Sequence, residues 1–475
     1  MSPSPLPRSR SSEQGVNAAG VLAFVDALEA SDNSPHSMML LRHGTVVAEG
    51  WWAPYSADRL HLLYSLSKSF TSSALGIAVG EGLADLDDTV LQHFPELDAE
   101  VTDSRSRAIK IRHVAAMASG HTGERREAAL DRDPDNMVRG FLLTPPEEEP
   151  GSVFAYNQPC TYSLGAIVMR ESGEGLTDYL RTRLLDPLGI GEVAWLRDRS
   201  GAELGYSGLH ATTDAIARLG QLYLQDGVWE GERLLPEGWV AQATRSQVSN
   251  EGFEDHPDWQ AGYGFQFWVA RHGYRADGAY GQLAIVLPEQ GAVLALTTEG
   301  SDIHGLMDLA WEHLLPAFEG AGTPEADDAL AARMASLTVP PVTGSAEPAE
   351  EGWDGFHADG EAGSPLASVA LTRDQDGWEL LLVSPEEPVT ELRVPLGTNG
   401  WAVSEPLAAH GKSVPLATSG AWREDGALAV DVAFLETPHT LQLVCDAAAG
   451  TVTADWRTEP LHRRGRLSWM RAPRD

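Results

Sequence analysis

Ser65 and Lys68 stand three positions apart in the stretch Leu63-Tyr64-Ser65-Leu66-Ser67-Lys68-Ser69-Phe70-Thr71. That spacing sets two side chains about one turn apart on the same side of a helix. Phe70, Leu75, Ile77 and Val79 supply apolar positions and Gly80-Glu81-Gly82 a stop, so the stretch predicts a helix with Ser65 at or near its N-terminus. Unpaired N–H groups and the helix dipole there favour developing negative charge. A lysine carried one turn into a cleft with little water loses part of its preference for the charged form and can accept a proton near neutral pH. The pair is a candidate nucleophile with its base. Taken alone, the tetrapeptide fits equally an N-cap serine with its lysine in solvent, so the chemistry needs further groups.

Two other stretches supply them. Tyr156, in Gly151-Ser152-Val153-Phe154-Ala155-Tyr156-Asn157-Gln158, precedes a helical pattern containing Tyr162, Leu164 and Ile167. A tyrosine at that point can hydrogen-bond both the serine and the lysine and relay a proton to a leaving group. A packed corner tyrosine is the plainer alternative. The run Arg275-Ala276-Asp277-Gly278-Ala279-Tyr280-Gly281-Gln282 opens a strand with two glycines on its entry side. Acyl transfer needs two backbone N–H groups aimed at the oxyanion. Ser65 can give one and a strand edge cleared of side chains by glycine the other, although a bulged strand start would look the same.

The elements that must bring these groups together read as follows. Residues 16–30 have helical apolar spacing, and residues 37–42 and 45–49 are strand-like runs joined by His43-Gly44, a tight-hairpin signal. Trp51, Trp52 and Tyr55 lead into the Ser65 helix. They could wall a substrate site, but core packing is the commoner role for such residues. Helices are expected over 111–117, 161–170 and 176–185 and from Thr212 to Gly227, with residues 121–150 irregular and exposed at the rim of a cleft. Three strands (263–270, 275–287 and 292–298) and a helix over 304–317 complete the unit. The sheet is thus built from both ends of the domain, with a helical region inserted between its halves.

At 475 residues the chain is too long for one ordinary core. Residues 1–15 read as a disordered leader, 16–335 as the serine-bearing domain, 336–352 as a Pro/Gly-rich linker and 353–475 as an all-β domain. Strand patterns at 368–372, 378–383, 392–396, 427–434, 440–445 and 451–456, with hairpin signals Asp376-Gly377 and Asp425-Gly426, give that tail a sandwich or small barrel of about 120 residues. A formal charge of −35, spread along the chain, argues against nucleic acid and anionic membranes as partners. Cys160 and Cys445 lie far apart with no metal-ligand spacing around them, and no early apolar run has the length of a signal peptide or span. The expected location is cytoplasmic.

In order and spacing, Ser65-Leu66-Ser67-Lys68, Tyr156-Asn157-Gln158 and Ala276-Asp277-Gly278-Ala279 resemble the serine β-lactamase and penicillin-binding-protein superfamily, within it the class C-like esterase, amidase and transacylase branch. Met117-Ala118-Ser119-Gly120-His121 and Asp186-Pro187-Leu188-Gly189-Ile190 support the likeness, which covers roughly residues 15–320. The resemblance implies an α/β (α+β) domain with a five-stranded antiparallel sheet flanked by helices, and a lipocalin-like appendage after it. It makes Ser65 the nucleophile, Lys68 the general base, Tyr156 the proton shuttle and Ser65 and Ala279 the oxyanion donors, with no metal and no diffusible cofactor. Gln158, Asp277, Gly278 and Tyr280 would line the substrate. The third motif departs from the usual pattern, because Ala276-Asp277-Gly278 carries no cation for a penicillin-type carboxylate. An anionic Asp277 facing the cleft would repel one, which favours neutral or cationic esters and amides. The expected activity is hydrolysis of a small-molecule ester or amide. Acyl transfer to an amine, true β-lactamase or DD-peptidase activity and a sensor without turnover are the rivals, and self-association through the C-terminal domain is a further expectation.

Overall fold

The protein is described by a computed structural model covering residues 5–349, 351–375, 377–408, 411–462 and 466–474. Helix α1 (Ala18–Ala30) is capped by Asn17, whose side chain accepts from the Ala19 N–H. The hairpin predicted at His43-Gly44 forms between β1 (Ser34–Arg42) and β2 (Thr45–Trp51), with both turn residues at positive φ. After it come α2 (Ser67–Gly80), α3 (Gln158–Ser172) and α4 (Thr213–Leu224), the last capped by Thr212 as its sequence predicts. Then β3 (Trp268–Ala270), β4 (Gly273–Gly278), β5 (Gln282–Leu287) and β6 (Ala292–Glu299) close the sheet in the order β2-β1-β6-β5-β4-β3.

Every pairing is antiparallel. The sheet has six strands rather than five, because the run read as one strand over 275–287 breaks at Ala279–Gly281 into β4 and β5. Tyr280 and Gly281 both take positive φ there. Alternate residues of β1 enter different cores: Met39 and Leu41 pack with Phe70 on the α2 side, and Met38 and Leu40 with Phe24 of α1. Burial on both faces explains why the strands read as continuous apolar runs.

Several expectations need correction. Residues 5–15 are no loose leader: Leu6 is buried, and the Ser9 N–H donates to Val46 O at 3.1 Å while the Val46 N–H donates to Pro7 O at 2.8 Å. The segment covers the β2 edge, whose backbone groups would otherwise lack partners. Residues 1–4 lie outside the described residues. The polar stretch 121–150 holds two short helices, Arg126–Arg132 and Met137–Leu142, each too brief to show a period. The 336–352 segment is docked rather than free, since the Ala53 N–H donates to Leu337 O and the Val339 N–H to Ala53 O, with Leu337 and Val339 buried.

Among the described residues the C-terminal unit is an antiparallel meander of nine strands: β7 (Phe356–Asp359), β8 (Ser368–Arg373), β9 (Trp378–Val383), β10 (Glu391–Pro395), β11 (Ala402–Ser404), β12 (Leu416–Trp422), β13 (Leu428–Phe434), β14 (His439–Asp446) and β15 (Thr451–Trp456). Sheets of four and five strands wrap one core filled by Trp378, Trp422, Leu380 and Val432, and Gly360 bridges to Val452 where their edges meet. The hairpin at Asp425-Gly426 forms. Asp376 of the other signal lies outside the described residues.

Strand β13 is buried along its whole length. Its Leu428, Val430, Val432 and Phe434 face the barrel core, while Ala433, with Ala417 and Leu435, joins the α1-side core of the first domain together with Trp52 and Tyr55. Small residues on the outer face let the two domains meet closely, and Trp52 and Tyr55 fill that junction instead of walling the cleft. Among the described residues no helix is long and apolar enough to cross a membrane.

Candidate active site

Ser65 sits in a 3₁₀ turn (Tyr64–Leu66) that runs straight into α2, and Tyr64 before it takes φ of 48°. A bulky residue at positive φ is strained and persists only where its surroundings fix it. Here the Tyr64 hydroxyl donates to Nε2 of His439 at 2.6 Å and accepts from the Leu461 N–H at 3.3 Å, while the His462 ring stacks on the tyrosine at 5.4 Å. Burial pushes His439 down to about 3, so the ring is neutral. Its Nδ1–H then serves the Thr458 carbonyl at 2.9 Å and leaves Nε2 as the acceptor Tyr64 needs. The C-terminal domain thus holds the residue that precedes Ser65.

Lys68 is 1% exposed. Its Nζ lies 3.1 Å from Ser65 Oγ, 2.7 Å from Gln158 Oε1 and 2.7 Å from the Tyr206 carbonyl. Burial lowers its pKa to about 7, against a smaller opposing pull from Glu124 and Asp277. A neutral amine has two N–H groups and one lone pair. The two carbonyl oxygens take the N–H groups, which leaves the lone pair for the Ser65 hydroxyl proton. The Tyr156 hydroxyl is hydrogen-bonded to the Ser65 side chain, and the Lys68 ammonium lies 4.8 Å from the Tyr156 ring centroid. Burial raises Tyr156 well above its usual value, so it is a neutral phenol near pH 7 and a proton donor. The phenolate considered from sequence is therefore disfavoured. Trp268, stacked on the ring at 5.5 Å, and Tyr263, edge-on at 6.2 Å, fix its orientation.

The third stretch packs against the turn that carries Ser65. A Cβ on Gly278 would lie 2.2 Å from Leu63 O and 3.1 Å from the Leu66 nitrogen. The glycine therefore lets β4 abut the turn that carries Ser65. The Tyr280 hydroxyl donates to the Glu459 carbonyl and its ring packs edge-on against Tyr64 at 5.4 Å. Asp277 is buried and accepts from Arg275 Nε at 2.9 Å, with the Arg275 guanidinium over the Trp259 ring at 4.3 Å. The predicted repulsion of an anionic substrate is thereby cancelled within the strand. Gln158 belongs to the site as the partner of Lys68.

Two participants carried no signal in the sequence. Tyr206 acts through its backbone carbonyl, which any residue could supply. Glu124 accepts from the N–H groups of Arg125, Arg126 and Gln158 and so ties the cleft rim to the start of α3. One group with metal-ligand types, His256, Asp258 and Asp308, already holds a cation, because Arg271 Nη2 lies 2.8 Å from Asp258 and also bonds Asp308.

An antiparallel sheet between two helical layers, with a Ser-x-x-Lys pair at a helix start and a tyrosine from the helical insertion, defines an enzyme of the serine hydrolase superfamily that includes β-lactamases and penicillin-binding proteins. The Beta-lactamase family model matches residues 29–317, and the chain belongs to that family. It is 28% identical over 288 residues to a 6-aminohexanoate-dimer hydrolase of Paenarthrobacter ureafaciens, covering 56% of this chain and 73% of the relative. It is 26% identical over 376 residues to penicillin-binding protein 4 of Amycolatopsis lactamdurans, covering 70% and 94%. A solved structure of SurE with D-leucine aligns with a TM-score of 0.51 at 20% identity, over 89% of this chain and 98% of that one, so the fold likeness extends into the C-terminal domain.

Proposed function

We propose that the protein hydrolyses an amide or ester bond of a small molecule through an acyl-enzyme on Ser65. The observation that carries the reading is the buried Lys68, held by two carbonyl oxygens with Ser65 Oγ at 3.1 Å. Neutral Lys68 takes the hydroxyl proton as Ser65 Oγ bonds to the substrate carbonyl carbon. The N–H groups of Ser65 and Ala279 receive the oxyanion. Tyr156 gives its phenolic proton to the leaving nitrogen or oxygen as that bond breaks, and recovers a proton from the Lys68 ammonium through the hydrogen bonds around Ser65. Water then attacks the acyl carbon, loses a proton to the same pair and releases the acid and free Ser65. The name of the first relative, a hydrolase of a 6-aminohexanoate dimer, supports an amide as substrate.

The test is intact-mass measurement after brief exposure to a panel of activated esters and anilides. A mass increase equal to the acyl group, absent in Ser65→Ala, is expected. Turnover that survives in Ser65→Ala would refute the assignment. An added amine that diverts the acyl group from water would show acyl transfer on the same residues.

A further inference from the structure

Resting on the reading of Ser65 as an acylating nucleophile, we infer that a cleft beside Lys68 is a substrate subsite for a carboxylate, with Arg126 as the recognising cation. The cleft measures about 540 Å³. Two of its lining residues also touch the catalytic groups. Tyr206 gives its carbonyl to Lys68 and lies with its ring centroid 5.8 Å from Nζ, and His462 stacks on Tyr64, the neighbour of Ser65. Tyr206 and His462 thus stand between the reacting centre and this cleft, and a substrate acylating Ser65 that reaches past them enters it.

The charges in the cleft favour an anion at its inner end. Arg126 is half-buried, its guanidinium hydrogen-bonded to the Tyr206 hydroxyl and its Nε buried with no partner among the described residues. A buried donor left unmatched is costly, and a ligand acceptor removes that cost. Arg199 stands exposed at the rim. Of the two acidic residues lining the cleft, Asp198 is occupied: one oxygen accepts from the Tyr162 hydroxyl at 2.6 Å, and the other from the Ser200 N–H and hydroxyl and the Ala202 N–H. Asp131 lies exposed on the rim. The nearby Glu124 carboxylate is likewise occupied by three backbone N–H groups. Of the arginines lining the cleft, Arg126 is the one bonded to Tyr206, the residue whose carbonyl holds Lys68, while the Arg197 guanidinium lies 3.7 Å from Glu203. The subsite thus supplies from the helical insertion the cation that Ala276 does not supply from the third motif.

The experiment compares kcat/KM for charged and uncharged pairs of probes. The acyl arm uses the p-nitroanilides of glutaric and adipic acid against their methyl esters at the far carboxyl. The leaving-group arm uses 4-acetoxybenzoate against its methyl ester. Wild-type enzyme is expected to prefer the carboxylate in one arm by about tenfold or more, the scale of a hydrogen bond to a charged group. Arg126→Gln is expected to collapse that ratio towards one, and Arg199→Gln to reduce it in part. A ratio between two substrates does not depend on the fraction of enzyme folded. Indifference to charge in both arms, or a preference that survives Arg126→Gln, overturns the inference. Labelling of Ser65 by a small uncharged fluorophosphonate separates the two claims: labelling without charge preference sinks the subsite alone, and absence of labelling sinks the acyl-enzyme reading beneath it.

Discussion

Replacing Gln158 by glutamate tests the role of Lys68 most directly. At its ordinary value of 10.5 a lysine is about 0.03% neutral at pH 7, whereas at about 7 it is half neutral, a gain of roughly 1,600-fold in available base. The rate is accordingly expected to rise with pH through a limb near 7 as the ammonium loses its proton. Gln158→Glu puts an anionic oxygen where the amide oxygen lies 2.7 Å from Nζ. An opposite charge that close stabilises the ammonium and raises a lysine pKa by about 1–3 units. The limb should move up by that amount, so kcat/KM at pH 7 falls by about 5- to 500-fold and recovers in alkali. The assay is kcat/KM for a neutral activated ester on both proteins from about pH 5.5 to 10, corrected for spontaneous hydrolysis. A variant depressed by the same factor at every pH, or one whose limb stays in place, would refute the assignment of Lys68 as the titrating base.

Other outcomes follow from the same geometry. Unfolded, Lys68 keeps its proton up to about 10.5; folded, it releases it above about 7, so the unfolded chain binds more protons between these values and stability rises with pH across that window, by about 5 kcal/mol in all. Lys68→Met should abolish activity and remove this slope, so that denaturant unfolding finds the variant more stable than wild type at pH 6 but not at pH 10. Gly278→Ala drives a methyl group against Leu63 O and should cost about 1–3 kcal/mol, with a loss of kcat exceeding any loss of fold seen by circular dichroism. Tyr64→Phe strands His439 Nε2 and the Leu461 N–H, at about 1–3 kcal/mol for each group left unpaired, measurable as a lower denaturation midpoint together with slower acylation.

The convergence of side chains could be read from the sequence where it rests on residue identity at fixed spacing. Ser65, Lys68 and Tyr156 were legible, as were the β1–β2 hairpin and the capped helix at Thr212, because each has a local signal. Roles that depend on the backbone or on distant contacts were not. Tyr206 contributes a carbonyl. The break between β4 and β5 falls at Tyr280, a residue whose positive φ is held by Thr298 Oγ1 bonding its carbonyl at 2.6 Å. The ordering of residues 5–15 comes from a strand edge that only the assembled sheet presents. Asp277 looked like an exposed anion because its partner, Arg275, lies on the same strand two positions away, a pairing that depends on which face is buried.

The clasp between Tyr64 and His439 spans 375 positions of chain. A hydrolase arranged in this way gains its full cutting power only after its last strands have been made and docked, so an incomplete copy is a poor catalyst even when its serine-bearing half has folded. Separation of the two domains would loosen the Ser65 turn by the same route, with every reacting group still present.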